Sequence, residues 1–116
     1  MLGDTGSKKQ GMNALIVYIT APDARTARGM ATRLVEERLC ACANILPGLE
    51  SLYWWGGKVE TAQEALLICK TTQSAWPSFE KRARELHPYD TPCIVALPLE
   101  KGFAPFMQWI ADETRS

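Results

Sequence analysis

The spacing of hydrophobic residues changes along this chain, and each change marks an element. Ala14–Ile19 reads ALIVYI, a near-continuous apolar run of the kind found in a strand covered on both faces. Thr20-Ala21-Pro22-Asp23 interrupts it, and Asp23 is a good helix N-cap. From there Ala27, Met30, Ala31, Leu34 and Val35 recur at helical spacing, while Arg25, Arg28, Arg33, Glu36 and Glu37 fall largely off that stripe. An amphipathic helix is predicted. Cys40–Trp55 predicts a long strand bent at Pro47-Gly48, because proline cannot donate to a central ladder. Trp55-Gly56-Gly57-Lys58 predicts a two-residue hairpin turn, since adjacent glycines accept the positive φ that such loops require. Val59–Lys70 returns as its partner strand. Ser74 is the predicted cap of a second helix with Trp76, Phe79, Ala83 and Leu86 on one face, Pro77 in its first turn and His87-Pro88 at its end. Cys93–Leu99 predicts a fourth strand, and Phe103, Phe106, Met107 and Ile110 a short last helix.

The order β-α-β-β-α-β-α predicts an α/β (α+β) fold of the ferredoxin-like kind, an antiparallel sheet with both main helices on one face. Residues 12–116 read as one domain and residues 1–11, polar and glycine-rich, as a flexible leader. Helices cover only one face of such a sheet, yet the first and fourth strands are apolar on both. Leu15, Val17 and Ile19 alternate with Ala14, Ile16 and Tyr18, and Ile94 and Ala96 alternate with Val95 and Leu97. Consecutive Trp54 and Trp55 point to opposite sides of the hairpin, so one of them cannot reach the chain's own helices. An exposed apolar face of this extent marks an interface, and self-association is expected. The competing reading folds the leader or the last helix over that face.

Charge then removes several classes. Thirteen basic and thirteen acidic side chains balance, which argues against a nucleic-acid partner, whose affinity rests on neutralised phosphates. Gln63–Lys70 also lacks the aromatic residues that an RNA-binding strand of this topology would present. No apolar run is long enough for a membrane span, and residues 1–11 have no secretory h-region. The four cysteines form no CxxC pair, so a reduced, cytoplasmic setting is expected. No Ser/His/Asp set is visible and there is one histidine, so the chain reads as a non-enzyme.

In order and spacing, Thr20-Ala21-Pro22-Asp23, Cys40 to Gly48 (CACANILPG), Ser51 to Lys58 (SLYWWGGK), Lys70-Thr71-Thr72 and His87 to Pro92 (HPYDTP) resemble the CutA divalent-cation-tolerance family across residues 14–112. The resemblance implies a ferredoxin-like homotrimer whose long hairpins reach between neighbours, clefts at the subunit junctions, and a link to copper and other divalent-cation tolerance. A PII-like small-molecule sensor, which shares fold and trimeric habit, is the alternative. That family carries a long mobile loop where this chain has a tight Gly-Gly turn.

The candidate metal ligands are His87, Asp90, Cys40 and Cys42. A neutral imidazole beside a carboxylate suits copper or zinc. The other reading has His87 bonding the last carbonyls of the second helix. Cys40 and Cys42, as strand neighbours on one face, lie about 7 Å apart and either meet a soft cation or are small core residues. Cys69 and Cys93 read as core. Copper-linked members of the family can carry a cysteine at the end of the first strand and a second histidine beside the first. Ile19 and Leu86 stand there in this chain, so copper or another divalent cation is expected to bind weakly. Trp54, Glu60, Lys70 and Tyr89, at strand ends and turns, are the candidate lining of a small-ligand cleft for a divalent cation or a small anion.

Overall fold

The computed structural model describes residues 13–115, so the predicted leader lies outside the described residues. The elements run β1 (Ala14–Ala21), α1 (Ala24–Glu36), β2 (Cys42–Trp55), β3 (Lys58–Thr72), α2 (Trp76–Leu86), β4 (Ile94–Pro98) and α3 (Ala104–Glu113). The four strands form one antiparallel sheet in the order β2-β3-β1-β4, the predicted ferredoxin-like arrangement.

Side-chain alternation decides where the core sits. Val17, Ile19 and Ala21 of β1 and Ala65, Leu67 and Cys69 of β3 point to one face, where Ala27, Met30, Ala31 and Leu34 of α1 and Phe79 and Ala83 of α2 cover them. Phe79 is fully buried and stacks on Trp76 with ring centroids 5.9 Å apart. The apolar stripes of α1 and α2 therefore bury against the odd-numbered positions of β1 and β3. Across the helices, Glu37 takes three hydrogen bonds from the Arg82 guanidinium, which hold its carboxyl below the usual range.

Both ends of α1 are chemically specified. Asp23 accepts from the Thr26 amide at 2.7 Å, as predicted. At the far end Arg38 adopts φ 60°, and the Arg38 and Leu39 amides donate to the Val35 and Leu34 carbonyls. This is a Schellman close with arginine where glycine is usual. Arg38 also ties down the last helix: its guanidinium reaches Glu113 Oε1 at 2.8 Å, and its carbonyl accepts from the Arg115 amide. That loop delays β2. Cys40 lies before the strand, which starts at Cys42, because the Leu39 carbonyl is taken by the Thr71 hydroxyl at 2.6 Å.

Two further boundaries differ from expectation. Ser74 does not cap α2. Thr72 Oγ1 accepts from the Ala75 amide at 3.2 Å instead, and Ser74 Oγ sits 3.2 Å from that oxygen. Cys93 is exposed and precedes β4, because pairing with β1 begins only at Ile19–Ile94, after Pro92.

The hairpin is as predicted: Gly56 and Gly57 take φ 59° and 81°, and the bend at Pro47-Gly48 appears as a bulge between Leu46 and Leu49, with Gly48 at φ 78°. Beyond the bulge β2 and β3 pair only with each other. They project as a two-stranded arm, and the molecule measures 56 × 25 × 22 Å. On the second face of the sheet α3 covers one end, burying Met107 and Ile110 against Ala14. Gly102 permits this seat, because a Cβ there would lie 2.5 Å from the Met107 sulfur. The rest of that face is open: Tyr18, Leu46, Val95 and Leu97 are 40–61% exposed.

Candidate functional site

The open face is organised in rows fixed by strand register. Cys42, Lys70, Ile16 and Leu97 form one row across β2, β3, β1 and β4, and Asn44, Ile68, Tyr18 and Val95 form the next. Lys70 Nζ donates to the Asn44 amide oxygen, linking the two rows over β2 and β3. A single ammonium thus stands on an apolar surface with one side-chain hydrogen bond, which leaves donors able to meet an incoming anion or carboxylate.

His87 closes α2 and is buried. Its Nε2 lies 2.8 Å from the Thr20 carbonyl at the end of β1, and its Nδ1 accepts from the Tyr89 amide at 3.1 Å. A neutral ring with the proton on Nε2 satisfies both contacts. The histidine is therefore a strut between β1 and the loop after α2, and neither ring nitrogen has a lone pair free for a cation in this arrangement. Its partner is Thr20, 67 residues away, rather than the last carbonyls of the helix. Tyr89 extends the strut. Its hydroxyl donates to Glu64 Oε2 at 3.0 Å, at the base of the arm, and burial together with that bond pushes the phenol up to about 12. Asp90 is exposed in the same loop.

The thiols divide. Cys40 and Cys69 are buried in the core, and the hydrogen bond that the Cys69 thiol gives to Cys40, together with burial, pushes that thiol well above its ordinary value. Cys42 is half-buried beside Lys70, and burial outweighs that cation, so its thiol is also raised. Cys40 and Cys42 therefore do not share an exposed strand face, and the raised Cys42 and Cys69 sulfurs favour the protonated thiol over the thiolate that metals bind. Among the described residues no three His, Cys, Asp or Glu side chains come together as a metal-holding group. The donors of one chain do not fit a tight divalent-cation site.

The remaining predicted lining residues are set apart within one chain. Trp54 pairs with Val59 and Glu60 with Tyr53, so Trp54 and Glu60 occupy opposite faces of the arm. Glu60 lies ten residues along β3 from Lys70, about 33 Å in an extended strand. Tyr89 and His87 sit between them, near the arm's base. A cleft that joins all of these must draw them from different subunits.

The sequence matches the profile described as CutA1 divalent ion tolerance protein over residues 15–113. The chain belongs to this CutA1 divalent ion tolerance family. A relative named divalent-cation tolerance protein CutA, from Thermus thermophilus, is 48% identical over 99 residues, covering 85% of this chain and 96% of the relative. The rice protein named CutA 1, chloroplastic, is 39% identical over 102 residues, and the match spans 88% of this chain but 58% of the rice protein. The solved structure of the Thermus thermophilus divalent cation tolerance protein (Cut A1) superposes with a TM-score of 0.86 at 47% identity, covering 88% of this chain and 99% of that one. The open sheet face and the arm that outruns its own body are thus features of a CutA1 chain.

Sequence reasoning missed three participants. Glu64 and Thr20 bond Tyr89 and His87, and Asn44 bonds Lys70. Only the strand register pairs them, although the polar breaks in otherwise apolar strands were a signal.

Proposed function

We propose that this CutA1 chain works as a cytoplasmic homotrimer that serves divalent-cation tolerance by binding, not by catalysis, and holds a cation or small ligand weakly at clefts between subunits. One observation carries this reading. The sheet has an uncovered apolar face, and beyond it an arm presents Trp54 and Trp55 at 74% and 71% exposure with nothing of its own body to pack on. Patches of this size on a small domain are covered by a partner, and a second and third copy supply one at each junction. The arm of one subunit then brings Trp54 and Glu60 to the Lys70 or Tyr89 of another, the convergence that one chain lacks. Metal enters the proposal only at that junction. Cys42, His87 and Asp90 of one subunit offer too few free donors, and affinity grows with ligand number and type. Free thiols throughout the described residues fit a reducing compartment.

Light scattering at micromolar concentration tests the assembly, and a stable species at the monomer mass of 12.9 kDa overturns it. Copper titration of the same sample tests the ligand. Weak uptake in simple ratio to trimers is expected. Tight uptake retained after Cys42→Ser and Asp90→Asn would place the metal elsewhere.

A further inference from the structure

A shallow groove, widely open to solvent, on the outer side of α1 is lined by Arg25, Arg28, Gly29, Thr32 and Arg33. Among the described residues no acidic side chain lines it. Two local choices inside it work against the helix that carries them. The first turn holds no acidic residue and has Arg25 instead, a positive charge at the positive end of the helix dipole. Gly29 sits mid-helix, where glycine is the poorest helix former after proline. Packing does not require that glycine, because an added Cβ would meet nothing within 4 Å. Locally unfavourable residues without a packing reason are expected at functional positions, and here two of them share one groove.

The spacing identifies the ligand chemistry. Arg25, Gly29 and Arg33 follow one another at intervals of four along a single helix ridge, with Arg28 and Thr32 on the adjacent one. The gap left by Gly29 thus lies between two guanidinium groups, with a third alongside. Guanidinium forks match phosphoryl oxygens bidentately. Arg25 and Arg33 stand about 12 Å apart along the axis, more than one phosphate bridges and within reach of a short phosphate chain. Neither acid at the end of α1 lines the groove: Glu37 is held chiefly by Arg82 and reaches Arg33 only at 3.5 Å, Glu36 lies outside the lining, and Asp23 at the other end caps the Thr26 amide. Zero net charge on the whole chain disfavours a long polynucleotide. We propose that the Arg25–Arg28–Arg33 groove, opened by Gly29, binds a small polyphosphate anion of two or three phosphoryl groups.

Calorimetric titration of the full-length protein with inorganic triphosphate at low ionic strength tests this. Binding is expected to weaken by about tenfold for each arginine removed in Arg25→Ser, Arg28→Ser and the double variant. Lys81→Ser on α2 should leave the affinity unchanged. Gly29→Leu separates ligand from fold: filling the gap with a good helix former should leave thermal stability equal or higher while lowering affinity. Unaltered binding in the double arginine variant, equal weakening in Lys81→Ser, full affinity in Gly29→Leu, or no binding at millimolar triphosphate each overturns the proposal. Tighter capture of a 12-nucleotide RNA than of triphosphate also overturns it, in favour of a nucleic-acid surface.

Discussion

The inner and outer halves of β2 and β3 belong to the same two strands and live in different worlds. Inboard of the bulge, β3 is flanked by β2 and β1 and roofed by two helices, so Leu67 and Cys69 are fully buried. Outboard, the same strand has one neighbour and no roof, and its partner strand exposes Leu52, Trp54 and Trp55 by 65–74%. The outer half is the less apolar of the two, yet it still carries Leu49, Leu52, Tyr53, Trp54, Trp55 and Val59. What differs is who supplies the cover: the chain itself for one, and in our proposal a neighbouring subunit for the other. Hydrophobicity therefore locates surfaces that must be buried without saying which molecule buries them.

The largest expected effect breaks the inner half. Phe79→Ala removes the largest fully buried side chain and its stack on Trp76, and should cost about 3–5 kcal/mol in urea unfolding. A loss below about 1 kcal/mol would show that the helical roof is not what secures the sheet. In the outer half, Trp54→Ala and Trp55→Ala should barely change a dissociated subunit. In the assembly one of them should cost about 2 kcal/mol or more, since the two rings lie on opposite faces. Equal small effects on dissociation measured by sedimentation would leave the arm without a covering partner.

At the boundary between the halves, His87→Ala strips partners from the half-buried Thr20 carbonyl and the Tyr89 amide, and a loss of about 1–3 kcal/mol in thermal unfolding is expected. The smallest effect belongs to Tyr89→Phe. The folded phenol is raised to about 12 from an ordinary 10, so its contribution is present below pH 10 and is lost as pH rises toward 12. The Phe variant should lose stability less steeply than the parent over that window in melting curves, and parallel slopes would mean that the Glu64 bond does not hold the arm's base.

Most of the fold was legible because it is written in local chemistry. The β1 run, the α1 stripe with its Asp23 cap and the Gly56-Gly57 turn each depend on neighbours in sequence. Two misses share a cause: Cys93 falls outside β4 and Cys40 precedes β2 because partners elsewhere in the chain set those boundaries. The third is local, since Ala75 rather than Ser74 is the N-cap of α2 and its amide is held by Thr72 three residues back. Less of the candidate site could be read. His87 was recognisable as notable, but its engagement with Thr20 depends on how the end of β1 meets the end of α2. The cleft residues Trp54, Glu60 and Lys70 were picked by position in the fold, and their separation along the arm only register could reveal.

The bulge at Pro47-Gly48 has a kinetic consequence. It interrupts the ladder between β2 and β3, so backbone amides outboard of it can open without disturbing those inboard. In deuterated water the chain should therefore exchange in two populations divided at Leu46 and Leu49. The inner amides are released only by global unfolding. In the proposed assembly the outer ones report how long a neighbour stays seated on the arm, which would make their exchange lifetimes a clock for subunit dissociation.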